Sequence, residues 1–176
     1  ILILILLFIT SLYLFINDSH PFIGCKSEQV AVKKDSLVEW KFPDVSTLKD
    51  DDEGKMIKLG RKVFTETYKY IGPRVKDISK RFLGNNMDCQ NCHFKAGTVK
   101  NVLGLVGTYT SYPALDARSD KIISIQQRIN QCLMRSMNGK PMPENSEEMN
   151  ALTAYLKWLS TYVPKGTRVE GNGLPD

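Results

Sequence analysis

The chain has 176 residues, 42% of them hydrophobic and 24% charged, with a formal charge of +5. That apolar content suffices for one packed domain and excludes global disorder. The positive charge is mild and scattered, with no Lys/Arg block. This excludes a nucleic-acid-binding module and points to an anionic small substrate or an acidic protein partner.

The chain opens on Ile1 rather than Met, so its start is expected to be missing or misassigned. Ile1 to Ile16 is almost wholly apolar. It is short for a spanning helix, which needs about 20 apolar residues, and suits the apolar region of an export signal. Phe22-Ile23-Gly24-Cys25 resembles the lipobox of bacterial lipoproteins, with Phe22 where Leu is usual. Residues 1–24 are therefore expected to be an export or lipoprotein signal, with Cys25 lipidated. The alternative is an uncleaved membrane anchor with an incidental cysteine. Both put the rest of the chain on the periplasmic side of a bacterial cytoplasmic or outer membrane, tethered through its N-terminus. Residues 25–50 are polar with scattered apolar side chains (Val38, Trp40, Phe42) and read as a tether, packed in part on the domain or a plain linker.

Residues 51–170 read as one domain. The acidic run Asp50 to Glu53 suits a helix start near Asp51, and Met56, Leu59, Gly60, Val63, Phe64, Thr67 and Ile71 keep a three-and-four spacing up to the stop at Gly72-Pro73. The Gly-rich stretch from Cys89 to Pro113 reads as loop wrapped around something. Ser119 is expected to cap a helix from Asp120 to about Met137, with Ile122, Ile125, Ile129, Cys132 and Leu133 near one face and Asn138-Gly139 ending it. Ser146-Glu147-Glu148-Met149 opens a last helix whose apolar face uses Met149, Leu152, Tyr155, Leu156 and Leu159. Residues 171–176 read as a flexible tail. This gives three to four helices and no persuasive strand, and so long a loop needs a cofactor inside it.

Cys89-Gln90-Asn91-Cys92-His93 supplies that cofactor. Two Cys three residues apart with His directly after them are the attachment signal of a c-type haem. One turn between the thiols matches the two vinyl groups on one porphyrin edge, and the next residue presents its imidazole to the iron. Cys89 and Cys92 are thus the expected covalent anchors of one haem c, and His93 is an axial ligand. A redox Cys-x-x-Cys lacks its βαβ context. A zinc site lacks ligands, since the only other His is His20 in the export segment. The expected fold is the all-α cytochrome c fold, with the first and last helices crossing. The opposite axial ligand has two candidates. Met142, between Pro141 and Pro143 before the last helix, is where a Met ligand usually sits. Cys132, on the inward helix face, is the other.

A longer pattern surrounds Cys132. Arg128-Ile129-Asn130-Gln131-Cys132, Arg135-Ser136-Met137-Asn138-Gly139-Lys140, Ser146 to Met149 and Tyr155 to Trp158 resemble the thiosulfate dehydrogenase family of periplasmic cytochromes c. So do Gly84-Asn85, Ala96-Gly97-Thr98 and Tyr112-Pro113 with Arg118. The likeness runs from about Gly60 to Gly173. The same unit is similar to the A subunit of the sulfur-oxidation cytochrome complex.

The resemblance implies a His/Cys-ligated haem, here His93 and Cys132, and an active site with Arg118, Arg128 and Ser136. It implies the coupling of two thiosulfate ions to tetrathionate with release of two electrons, which some members run better in reverse. The residue types suit that chemistry, because arginine forks offset the repulsion between two dianions. A cysteine at the haem face can take up a sulfur adduct as well as ligate iron, and a thiolate ligand lowers the haem potential. Arg135 reads as a solvated charge or haem-propionate partner. The best-known members carry two haems, whereas this chain has one Cys-x-x-Cys-His and matches the catalytic-type domain. Another cytochrome or redox protein is thus the expected electron partner. The alternatives are a pure electron carrier with His93/Met142 ligation and a module that binds a sulfur compound without turnover.

Overall fold

The computed structural model describes residues 37–171. The signal or anchor expected over residues 1–24, the lipidation site Cys25, the first part of the tether and all but the first residue of the tail lie outside the described residues.

Helix α1 (Asp52–Thr65) starts where the Asp51 carboxylate accepts the Gly54 N–H at 2.8 Å, with Asp52 and Glu53 adding negative charge at the positive end of the helix dipole. The expected continuous helix to Ile71 is broken instead at Glu66 (φ −133°, ψ 40°), and α2 (Thr67–Ile71) follows it. The cause is tertiary. Thr67 is fully buried; its hydroxyl accepts the Cys89 N–H at 2.9 Å and lies 3.1 Å from the Phe64 carbonyl it donates to. Such bonds outweigh the few tenths of a kcal/mol by which two threonines favour or disfavour a helix.

The segment between residues 114 and 123 corrects the expectation of a chain without strands. β1 (Ala114–Asp116) and β2 (Lys121–Ile123) form an antiparallel hairpin, with Ala114 opposite Ile123, Leu115 opposite Ile122 and Asp116 opposite Lys121. Its turn is held by Ser119, which donates to Asp116 Oδ2 at 2.6 Å rather than capping a helix. Ile122, placed on the inward face by the helical reading, is 67% exposed. Three-residue strands are too short to show alternation, and Ile122-Ile123 fits either period. Helix α3 (Ile125–Arg135) therefore starts five residues later than expected. Ser124 caps it, accepting the Gln127 N–H at 3.1 Å while Gln127 Oε1 accepts the Ser124 N–H at 3.0 Å.

Helix α4 (Glu147–Leu159) is capped by Ser146 and buries Met149, Leu152, Tyr155, Leu156 and Leu159, the face its periodicity predicts. It crosses α1 at Gly60, where any Cβ would collide with the Ala151 carbonyl. The buried side chains of α1, α3 and α4 form one core with Leu83 and Met142. Each fully buried Leu, Val or Met there contributes about 1.5–3 kcal/mol.

The glycine-rich stretch is loop, with single helical turns at Cys89–Asn91, Phe94–Gly97 and Tyr109–Ser111 and left-handed backbone at Lys95, Ala96 and Gly97. Residues 37–42 lie along its outer side. Val38 bridges to Val169 in parallel, and Trp40 joins Val106, Val163 and Val169 in a second small cluster. The Trp40 indole N–H donates to the Thr98 carbonyl at 3.3 Å, and its ring lies so close to Gly104 that no side chain fits there. Among the described residues the regular structure is thus mostly helical, with one short hairpin inserted ahead of α3.

Candidate functional site

Between α1, α3, α4 and the glycine-rich loop lies a cavity with about 1130 Å³ of atom-free space, its open side included. Its walls are mostly apolar: Phe64, Leu105, Ile125, Ile129, Leu133, Leu152 and Leu156. Cys89, Cys92 and His93 line it from the loop side. Their positions follow from local bonds. The turn at Cys89–Asn91 is closed by a reciprocal cap in which Asn91 Oδ1 accepts the Asp88 N–H at 2.6 Å. Thr67 holds the Cys89 N–H, and the burial of Cys89 pushes its thiol up to about 12.

The His93 ring is fixed at one nitrogen. Nδ1 lies 2.7 Å from the Leu103 carbonyl oxygen. A carbonyl only accepts, so in the neutral ring Nδ1 carries the proton, which leaves the Nε2 lone pair for a metal. The ring is also braced at 6.1 Å by Phe64, which packs at 5.6 Å on Tyr155. Two thiols on one wall, an imidazole with a free lone pair beside them and an apolar chamber fit a covalently attached haem. Cys89 and Cys92 would hold its edge and His93 its iron.

Cys132 lines the same cavity from α3. Met142 does not. It is 2% exposed within the core, and its main chain is bonded to Asn130. Met87 and Met137, neither of which is a ligand candidate on spacing, do line the cavity. Burial pushes the Cys132 thiol pKa up, and the nearby Arg128 and Arg135 charges oppose that shift.

A second, polar cavity adjoins the first. Tyr112, Arg128, Cys132 and Ser136 line both. The second is completed by Arg118 and Asp116 from the hairpin and by Gln131 and Arg135 from α3. Arg118 from the hairpin is thus brought beside Arg128, Cys132 and Ser136, which follow one another at one-turn spacing along α3 and its cap. Arg135, read from sequence as a solvated charge or haem-propionate partner, also lines this cavity and is exposed. Among the described residues ion pairs are made by Lys58, Lys69, Lys80 and Lys100, and none by these three arginines. Tyr112 is a further lining residue, its phenol pushed up by burial against the opposing charge of Arg128. Only its occurrence beside Pro113 in the family pattern marked it beforehand.

A mostly helical domain that sets Cys-x-x-Cys-His on the wall of an apolar chamber is a c-type cytochrome domain. Residues 79–164 match the family model described as "SoxA/TsdA, cytochrome c domain". The chain is 37% identical over 134 residues to the thiosulfate dehydrogenases of Stutzerimonas stutzeri (strain A1501) and Thiomonas intermedia (strain K12). Those alignments cover 76% of this chain and 41% and 40% of the two relatives. The structure superposes on thiosulfate dehydrogenase (TsdBA) from Marichromatium purpuratum in its as-isolated form with a TM-score of 0.68 and 27% identity, over 77% of this chain and 29% of that one. Residues 79–164 are thus a cytochrome c domain of the SoxA/TsdA type, a class whose cofactor is haem c. It spans about two fifths of the length of the curated relatives it matches.

Proposed function

We propose that this domain oxidises thiosulfate to tetrathionate, or runs the reverse reaction, at a single haem that Cys89, Cys92 and His93 would hold, with Cys132 as the residue that would supply a further iron ligand. The observation that carries the reading is the position of Cys132: it lines both an apolar chamber and a cavity bearing three arginines without ion pairs. Joining two thiosulfate ions makes one S–S bond and releases two electrons. The haem, when bound, accepts those electrons one at a time. The protein's own part is electrostatic and geometric. Two dianions repel each other, so Arg118 and Arg128 bind their oxygens through planar N–H forks and hold the terminal sulfurs together. Ser136, one turn beyond Cys132, offers a hydroxyl donor to the same oxygens. Arg118, Arg128 and Ser136 are exposed, so their pull on the anions is felt through solvent and weakens with salt.

Electrons then leave to a separate cytochrome or redox protein. The apolar N-terminal run and Cys25 fit a tether on the periplasmic side of the membrane, and metabolic labelling with a fatty acid, lost in Cys25→Ser, tests that part. The activity is tested by thiosulfate-dependent reduction of an artificial electron acceptor by the haem-loaded protein, with Cys132→Ala as control. Turnover in the wild type and its loss in the variant are expected. An inactive wild type, or a variant as active as wild type, sinks the proposal. The electron-carrier alternative needs Met142 at the iron, and no contact of Met142 with the chamber favours it.

A further inference from the structure

Arg128 does not stand free in the polar cavity. Its Nη1 donates to Gln131 Oε1 at 3.2 Å, and Gln131 Nε2 donates in turn to Asp116 Oδ2 at 2.9 Å. Gln131 is buried, 8% exposed, in the turn between Arg128 and Cys132. Asp116 sits at the end of β1, two residues before Arg118, and Ser119 Oγ fixes the same carboxylate oxygen at 2.6 Å. The amide has only one workable orientation. Reversed, it would point N–H groups at a guanidinium and an oxygen at a carboxylate.

We propose that Gln131 is a positioning residue that ties the hairpin carrying Arg118 to the helix carrying Arg128 and Cys132, and so sets the spacing of the two arginines that grip the oxyanions. The inference rests on the thiosulfate reading above. A neutral spacer has a reason here. Asp116 bonded directly to Arg128 would cancel the charge that the substrate needs. Through the amide, the carboxylate orients the guanidinium at a distance and engages a single one of its five N–H donors. The guanidinium is also within hydrogen-bond reach of the Tyr112 phenol, and N–H donors remain beyond these two contacts.

The sign of one substitution separates this from simple electrostatics. Asp116 is the negative charge in a cavity for anions. If it acts only as a charge, Asp116→Ala lowers KM for thiosulfate. If it anchors the relay, Asp116→Ala raises KM, by about tenfold for the loss of a charge-assisted link, while kcat stays within about twofold. Asp116→Asn makes the same charge change but keeps an acceptor for Gln131 Nε2, so its KM lies at or below wild type. Gln131→Leu behaves like Asp116→Ala, and the double variant is no worse than either single one, because both break the same chain.

The measurement is steady-state kinetics on the haem-loaded full chain, with the visible haem spectrum of each variant recorded alongside. A shared loss of haem or of kcat, with KM unmoved, marks a merely structural role and overturns the proposal. So does a KM at or below wild type in Asp116→Ala. A wild type that turns over no thiosulfate defeats the activity reading itself, and the relay with it.

Discussion

Asn130 holds the main chain of Met142 from both sides: its Oδ1 accepts the Met142 N–H at 2.8 Å and its Nδ2 donates to the Met142 carbonyl at 2.9 Å. The pair spans α3 and the Pro141–Pro143 loop, and it keeps the methionine side chain in the core. Met142→Leu is therefore expected to leave the low-temperature EPR spectrum of the oxidised haem-loaded protein unchanged, with a stability cost under about 1.5 kcal/mol. Cys132→Ala should alter that spectrum. A change with Met142→Leu and none with Cys132→Ala would reverse the ligand assignment. Asn130→Ala leaves two buried main-chain groups without partners and should cost about 1–3 kcal/mol in denaturant unfolding.

Arg118 and Arg128 approach the polar cavity from different elements, the hairpin and α3. Replacing either by Leu is expected to lower kcat/KM for thiosulfate by about 10- to 100-fold, the effect of losing one charge-assisted interaction. Arg128→Lys should recover only part of it, because a point charge cannot reproduce the fork. Steady-state rates at two ionic strengths check both statements, since losing a cation should also flatten the salt dependence.

Gly60→Ala puts a methyl group into the Ala151 carbonyl at the crossing of α1 and α4. Overpacking of this kind costs about 1–3 kcal/mol, and more where the obstacle is main chain that cannot swing aside. Chemical denaturation should show a lowered midpoint, and the yield of haem-loaded protein should fall. A stability equal to wild type would mean that the two helices sit further apart than described.

Tyr155 is 1% exposed and donates its hydroxyl to the Ala96 carbonyl at 2.7 Å; burial pushes its pKa up to about 12. An unfolded tyrosine titrates near 10. The folded state therefore favours the neutral phenol. The stabilisation it brings is complete below about pH 10 and disappears as pH rises from about 10 to 12. Tyr155→Phe loses the hydrogen bond, about 1 kcal/mol at neutral pH. The gap between the two proteins should then narrow through the alkaline window when unfolding is followed by circular dichroism. A gap that widens with pH contradicts the assigned direction.

Some of this architecture could be read from the chain, and the reasons are local. Ser146, the acidic first turn and five apolar residues in register define α4 without help from the rest of the fold. Cys89, Cys92 and His93 carry their chemistry in their spacing. What escaped depends on distant partners. Glu66 breaks the first helix because Thr67 meets Cys89, 22 residues away. Ser124 carries the better cap pattern, with Gln127 three residues on where Ser119 has Ile122, but the apolar spacing through Ile122 points to the earlier start, and strand pairing overrides it. The partner of His93 is a main-chain carbonyl at Leu103, which no side-chain pattern announces. Arg118 was singled out by family likeness alone. Gln131 stayed hidden because an amide on a helix looks alike in sequence whether it faces water or a cavity.

The bridge between Val38 and Val169 has a consequence for how the domain joins to other chain. The Val38 N–H donates to the Arg168 carbonyl and the Glu170 N–H to the Val38 carbonyl, each at 2.9 Å. Incoming and outgoing backbone thus lie side by side but run the same way, so chain enters and leaves the domain at neighbouring points while heading in opposite directions. Units added upstream and downstream start close together and diverge, and circular permutation needs a connector long enough to reverse the chain. Such a body sits in a longer protein like a bead on a string.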